Sequence, residues 1–208
     1  LHDFATKALH GGSLVLPDPG DLLDLAPIAG GNYRVDGSGG FIAYEDGPAA
    51  RTIRFALDRV QGGGGGRIEG ELAIEVPADE SIALVTPWSE PGLFFYENKV
   101  MAMPVGGFVT IIGVGDSRDR RWDLAGDAFA VMDWVRAVVP GTIDWTWAVG
   151  AGFVDGRRIG LNFGSVFGDE RAGTPDAVVV DGVVHKRPPV AWDESAAEKR
   201  GTAELAAE

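Results

Sequence analysis

Two Asp-Gly pairs, Asp155-Gly156 and Asp181-Gly182, each separate two β-rich runs of this chain. Asp-Gly is typical of the type I′ turn, in which both central residues need a positive φ and two antiparallel strands are joined by a two-residue loop. The pairs therefore predict two hairpins and fix which residues of the flanking strands face each other. A fold that contains these hairpins must contain antiparallel sheet.

The first turn sets a register in which Val154 faces Arg157 and Val149 faces Asn162. Side chains alternate between the two faces of a strand, so this register assigns every side chain of the hairpin to a face. One face sets large residues against small ones: Ile159, Leu161 and Phe163 against Gly152, Gly150 and Ala148. The other face carries Trp145, Trp147, Val149, Phe153, Arg158 and Asn162. Aromatic walls with a few polar groups are typical of a ligand pocket.

The second turn predicts that Val178 faces His185 and that Asp176 faces Arg187. Opposite charges directly across two antiparallel strands attract each other, and a ring packs well against a β-branched neighbour. We therefore expect an ion pair between Asp176 and Arg187 and a packed imidazole at His185.

Period-two patterning extends over most of the chain. Residues 68–76 alternate apolar and acidic side chains, as a half-buried strand does. Similar runs lie at 81–86, 93–96, 100–103, 108–114, 142–154, 157–163 and 177–186. We predict an all-β fold, an antiparallel barrel or sandwich, with few or no helices except a short one in the charged segment 193–208. The five glycines of 62–66 favour a flexible loop, because glycine loses the most backbone entropy on ordering.

Composition excludes several classes of function. The 208 residues include no cysteine and three histidines far apart in sequence, so we expect neither a metal site nor a redox cofactor. The formal charge of −13 argues against nucleic acid as a partner, since that affinity comes from clustered Lys and Arg. The chain shows no signal-like apolar run near its start and no stretch of about 20 apolar residues, which favours a cytoplasmic protein without a membrane span.

Three aspartates could supply a catalytic carboxylate: Asp133, Asp144 and Asp155. The presence of Asp155 is better explained by its place in the predicted type I′ turn than by a catalytic role. Asp133 lies in the apolar run FAVMDWV, where a strand would bury it, so we expect both Asp133 and Arg136 to be mostly buried, with Asp133 paired with Arg136 or Lys99. A structural ion pair is the more frequent use of such a carboxylate, and general acid or base chemistry is the alternative.

The segment 130–164 carries Asp133-Trp134 with Arg136, Trp145-x-Trp147-Ala148, Asp155-Gly156-Arg157 and Gly160-Leu161-Asn162. These motifs, with Lys99 and the turn from Met103-Pro104 to Gly107 upstream, resemble the bacterial family called domain of unknown function 2804. The resemblance covers residues 90–192, which suggests an N-terminal β part over 1–89, a family-like β-barrel over 90–192 and a tail over 193–208. It implies a calycin-like fold, distantly similar to the lipocalin-like hydroxyneurosporene synthase group, which includes hydratases of isoprenoid lipids.

Three functions are compatible with these features. The first is a protein that binds a hydrophobic or amphipathic small molecule in an internal cavity through Trp145, Trp147, Asn162 and Arg136. The second is a hydratase, lyase or isomerase that acts on an isoprenoid-like or lipid substrate through Asp133. The third is a carbohydrate-binding sandwich, and it depends on the tryptophans alone. The amide of Asn162 could equally bond to the protein backbone or to a ligand.

Overall fold

The computed structural model describes residues 2–3, 8–9, 32–37, 39–60, 66–113, 119–141, 145–165, 168–192 and 205–206. This part of the chain contains antiparallel strands and no helix. The all-β, antiparallel prediction is therefore confirmed. The strands are β1 His2–Asp3, β2 Ala8–Leu9, β3 Tyr33–Gly37, β4 Gly40–Asp46, β5 Ala50–Val60, β6 Gly66–Glu75, β7 Ile82–Pro87, β8 Phe94–Ile112, β9 Arg120–Val138, β10 Thr146–Val154, β11 Arg157–Ser165, β12 Ala177–Val180, β13 Val183–Lys186, β14 Ala191–Trp192 and β15 Leu205–Ala206.

Both predicted hairpins turn at their Asp-Gly pairs. The φ angles are 50° and 76° at Asp155 and Gly156, and 49° and 86° at Asp181 and Gly182, as a type I′ turn requires. In the first hairpin Val154 pairs with Arg157 and the ladder continues without a slip to Thr146 and Ser165. The predicted register of β10 and β11 is confirmed at every position named above.

In the second hairpin Val178 pairs with His185, as predicted, and the Arg187 amide donates to the Asp176 carbonyl at 2.9 Å. The predicted side-chain contacts are wrong. The carboxylate of Asp176 is buried and accepts from the backbone amides of Gly164 and Val190, both at 2.8 Å, while His185 and Arg187 are exposed. Two neighbouring amide donors satisfy this buried carboxylate within its own unit, so it makes no pair with the exposed guanidinium.

The chain divides into two compact units. Unit 1 comprises residues 1–76 and 104–128, and unit 2 comprises residues 77–103 and 129–208. The division suggested by the family resemblance, with a boundary at 89/90, stays a prediction. Within the loop predicted at 62–66, Gly66 begins β6, and 62–65 lie outside the described residues. The helix predicted in 193–208 also falls largely outside them, and its Leu205–Ala206 form a strand.

Unit 1 contains the sheet order β3-β4-β5-β6-β8. The predicted alternation appears in β6, where Ile68 and Ile74 are buried and the glutamates between them point to the other face. Ile68 packs with Ile111, Phe55, Val109 and Trp122. On the opposite face, arginines pair with acidic side chains of their own and neighbouring strands: Arg54 with Glu45 and Glu71, and Arg67 with Asp58 and Glu69.

In unit 2, β7 pairs with β8, and a second sheet has the order β10-β11-β12-β13. Ile82 and Met101 of the first sheet pack with Ala177 and Val179 of the second. Gly160 of β11 lies at this contact, where a Cβ atom would be only 2.6 Å from the Cβ of Met101. The two sheets therefore pack face to face, and no pairing among the described strands closes either sheet into a barrel.

Candidate functional site

The site begins with two charged side chains on β8 of unit 2. Glu97 and Lys99 are two residues apart, so they point to the same face of the strand, and they are only 1% and 2% exposed. Glu97 Oε2 lies 3.0 Å from Lys99 Nζ, and Asp133 Oδ2 of β9 lies 3.6 Å from the same ammonium. We call Glu97, Lys99 and Asp133 the charged triad.

An indole covers the triad from the other sheet. Lys99 Nζ lies 4.5 Å from the ring centroid of Trp147, which is a cation–π contact. The Trp147 Nε1 donates to Asn162 Oδ1 at 2.9 Å, and Asn162 Nδ2 donates to the Pro175 carbonyl at 2.9 Å. Asn162 is fully buried, so it positions Trp147 against the ammonium through these two bonds.

Burial controls the ionisation of this region. Removal from water raises the pKa of Glu97, although the nearby ammonium of Lys99 favours the carboxylate and opposes the shift. Burial likewise raises the pKa of Asp176 and lowers the pKa of Lys186, whose ammonium donates to the Thr174 carbonyl. Glu97 therefore holds a proton more readily than a glutamate in water does.

Glu97 is also incompletely hydrogen-bonded. Its Oε1 is buried and has no hydrogen-bond partner among the described residues. Oε2 approaches the Lys99 ammonium at 3.0 Å, but that contact is an ion pair without hydrogen-bond geometry. A buried acceptor without a donor is costly, so this oxygen requires a specific explanation.

An apolar surface adjoins the triad along β10. Phe153 lies on the same face as Trp147 and stacks edge-to-face on Phe129 of β9, with ring centroids 5.3 Å apart. Val149 lies on that face between them, and Val149 and Phe153 are 45% and 55% exposed. Trp145, which directly precedes β10, is half exposed too. We call Trp147, Val149 and Phe153 the β10 face.

The structure brings together some of the predicted site residues. Trp147, Asn162 and Asp133 form one contact network, whereas Trp145 lies at its edge. The prediction that Asp133 and Arg136 are mostly buried is wrong, because both are exposed residues of β9. The apolar run around them indicates burial, but the described pairing of β9 is with β8 alone, so these residues lie near an open sheet edge. Asp144 lies outside the described residues.

The Arg136 guanidinium approaches Trp134 instead, at 5.6 Å from the ring centroid. The predicted pair of Asp133 with Lys99 is present, but Asp133 keeps 29% of its side chain exposed. Sequence reasoning missed Glu97 as the buried carboxylate. The signal for it was present in FFYENKVMAM, where two charged residues share one face of an apolar strand.

Among the described residues no three His, Cys, Asp or Glu side chains are grouped as a metal site would need. That same part of the chain contains no helix long and apolar enough to cross a membrane.

These features define the class: an antiparallel all-β protein in which one unit holds a charged triad, built on the buried pair Glu97 and Lys99, beside an exposed aromatic face. The chain belongs to the family of the domain of unknown function DUF2804, whose family model matches residues 1–200. The match confirms the family resemblance drawn from residues 90–192 and extends it to the N-terminal part. No curated protein and no solved structure matches the chain.

Proposed function

We propose that unit 2 binds a hydrophobic or amphipathic small molecule on the β10 face. The observation that carries the proposal is the pair of half-exposed side chains, Val149 and Phe153, on the face that ends at Trp147 and the charged triad. Exposed apolar surface beside a few fixed polar groups is the usual composition of a small-molecule site. The family resemblance, which implies a calycin-like fold, supports a small hydrophobic molecule as the ligand.

The test compares two valines of one strand. Retinol should quench tryptophan emission of the wild-type chain, because its polyene would lie beside Trp147 on the β10 face. Val149→Asp should weaken this binding at least about tenfold, since an ionised carboxylate on that face opposes apolar contact. Val154→Asp is the matched control, because Val154 is also exposed on β10 but points to the opposite face. Equal binding by both variants, or no quenching of the wild type, would contradict the proposal.

A second function is favoured by one specific observation, the raised pKa of the buried Glu97. A raised pKa lets a carboxyl group hold its proton to higher pH, and a hydratase or isomerase of isoprenoid-like lipids needs a protonated acid to protonate an alkene. In this alternative Glu97, and not Asp133, donates the proton to one alkene carbon. Asp133 orients the water that attacks the other carbon and accepts the proton that this water loses.

Farnesol in D₂O tests the enzymatic alternative. Hydration would give a product heavier by one water with deuterium at a former alkene carbon, and mass spectrometry detects both changes. Glu97→Gln should abolish the product while the variant keeps the circular dichroism spectrum of the wild type. Product formation by Glu97→Gln would exclude Glu97 as the acid, and unchanged farnesol with the wild type would exclude this substrate.

A further inference from the structure

The chemistry of the ligand's polar end can be inferred from the charged triad, and this inference rests on the proposed function. An amphipathic ligand on the β10 face would place its polar group near Trp147, where the face meets the triad. The groups that meet it there are one ammonium and two carboxylates. The chemical group at the polar end of the ligand depends on which of these three groups is free to bind it.

The ammonium of Lys99 is already occupied. It lies 3.0 Å from Glu97 Oε2 and 3.6 Å from Asp133 Oδ2, and the ring of Trp147 covers it at 4.5 Å. Only 2% of the Lys99 side chain is exposed. An anionic ligand would therefore have to displace a carboxylate from the ammonium, and it would meet the remaining negative charge of the triad.

The acceptors are available. Asp133 is the exposed member of the triad, and Glu97 Oε1 has no hydrogen-bond partner among the described residues. Glu97 is 1% exposed, so bulk water does not satisfy that oxygen. Lys186, the other ammonium that acts on Glu97, is engaged at the Thr174 carbonyl. The polar end of the site thus offers acceptors and lacks an available donor among these groups.

We infer that the ligand carries a hydrogen-bond donor, a hydroxyl or a protonated amine, at its polar end, and that the carboxylates of Asp133 and Glu97 receive it. Long-chain carboxylates are then poor ligands of this site. The apolar part of the molecule lies on the β10 face, and the donor reaches Asp133 first because that side chain is the more exposed carboxylate.

Three molecules with one polyene test the inference: retinol, retinylamine and retinoic acid. Each is titrated into the full chain at pH 7 and about 0.15 M salt, which screens the attraction of an amine to a protein of charge −13. Quenching of tryptophan emission reports binding for all three. Retinol and retinylamine should bind at least tenfold more tightly than retinoate, and the difference between the two donors shows whether charge or hydrogen bonding dominates.

Asp133→Asn should reduce the preference for retinylamine over retinoate at least fivefold. Asp127→Asn, which removes the same charge from an exposed position of β9 in unit 1, should leave the preference unchanged. Retinoate that binds as tightly as retinol overturns the inference while the proposed function survives. If none of the three quenches the emission, the proposed function fails and the inference fails with it. Equal effects of the two Asn variants would assign the preference to net charge and overturn the role of Asp133.

Discussion

The two units use charge in opposite ways. In unit 1 the buried side chains are apolar, among them Ile68, Ile74 and Ile111, and its arginine pairs lie on partly exposed faces. In unit 2 the core also contains charged and polar side chains. All the buried polar residues of the described part of the chain belong to this unit: Thr86, Glu97, Lys99, Asn162, Thr174 and Asp176.

This difference indicates that unit 1 serves as a scaffold and that unit 2 contains the candidate site. A surface ion pair costs little desolvation and contributes little stability, whereas a buried pair loses its hydration and regains that free energy only with good geometry. Unit 2 nevertheless buries Glu97 against Lys99 and leaves Glu97 Oε1 without a hydrogen-bond partner in the described part of the chain. Such an arrangement is a poor way to stabilise a fold, and it is typical of a site that binds or reacts.

The largest expected effect comes from breaking the buried pair on one side. Lys99→Met should lower the free energy of unfolding by about 3 to 5 kcal/mol, because it leaves the buried Glu97 carboxylate without its cation. Urea denaturation measures the change. The double variant Glu97→Leu/Lys99→Met should recover most of the loss, since two apolar side chains need no hydration. A single variant as stable as the wild type would show that Glu97 is already neutral in the folded protein.

The second-largest effect on stability should come from the contact between the two sheets of unit 2. Gly160→Ala should destabilise by about 1 to 3 kcal/mol, because its new methyl group would lie only 2.6 Å from the Cβ of Met101 and the sheets must separate. Gly152→Ala is the control on the neighbouring strand, since a Cβ there meets nothing within 4 Å. Thermal unfolding of both variants measures the difference. Equal melting temperatures would show that the sheets of unit 2 are not closely packed at Gly160.

A smaller effect appears in the pH dependence of stability. The pKa of Glu97 is raised in the folded protein, so between the ordinary value near 4.5 and the raised value the folded state binds more protons than the unfolded state. This contribution to stability is complete below the ordinary value and is lost as the pH rises through the folded pKa. As the pH rises through that window, the free energy of unfolding of Glu97→Gln should therefore increase relative to that of the wild type, by at most about 1.4 kcal/mol per pH unit. Urea denaturation at a series of pH values measures this difference. If the free energies of unfolding of the two proteins changed in parallel with pH, a raised pKa of Glu97 would be contradicted.

The smallest effect should come from unit 1. Arg54→Gln removes two ion pairs, with Glu45 and Glu71, but the side chain is 41% exposed and water replaces its partners. We expect a melting temperature within the reproducibility of the measurement, and Arg67→Gln should behave in the same way. A clear loss of stability in either variant would weaken the distinction between the two units.

The strands could be predicted from sequence because the signals are local. An Asp-Gly pair specifies the turn within two residues, and the turn then fixes the register of β10 on β11 as far as Trp147 and Gly164. The alternation in β6 has the same origin, since one half-buried face needs period two. The all-β class and the aromatic face follow from these elements alone.

The site was predictable only in part because burial depends on neighbours distant in sequence. Asp133 and Glu97 both lie in apolar runs, yet Glu97 is buried and Asp133 lies near the open edge of β9. No local pattern separates a central strand from an edge strand. The same limit applies to Asp176, whose donors at Gly164 and Val190 are 12 and 14 residues away.

The two 19-residue strands, β8 and β9, each pass from one unit into the other, at 103/104 and 128/129. Neither unit is therefore a continuous stretch of polypeptide. On the ribosome, Lys99 emerges well before the β11 and β12 residues that enclose the site, and at about 5–20 residues per second this interval lasts several seconds. During that time Glu97 and Lys99 remain hydrated on a nascent strand that is mostly apolar. The same two charges would then protect the unfinished chain from aggregation.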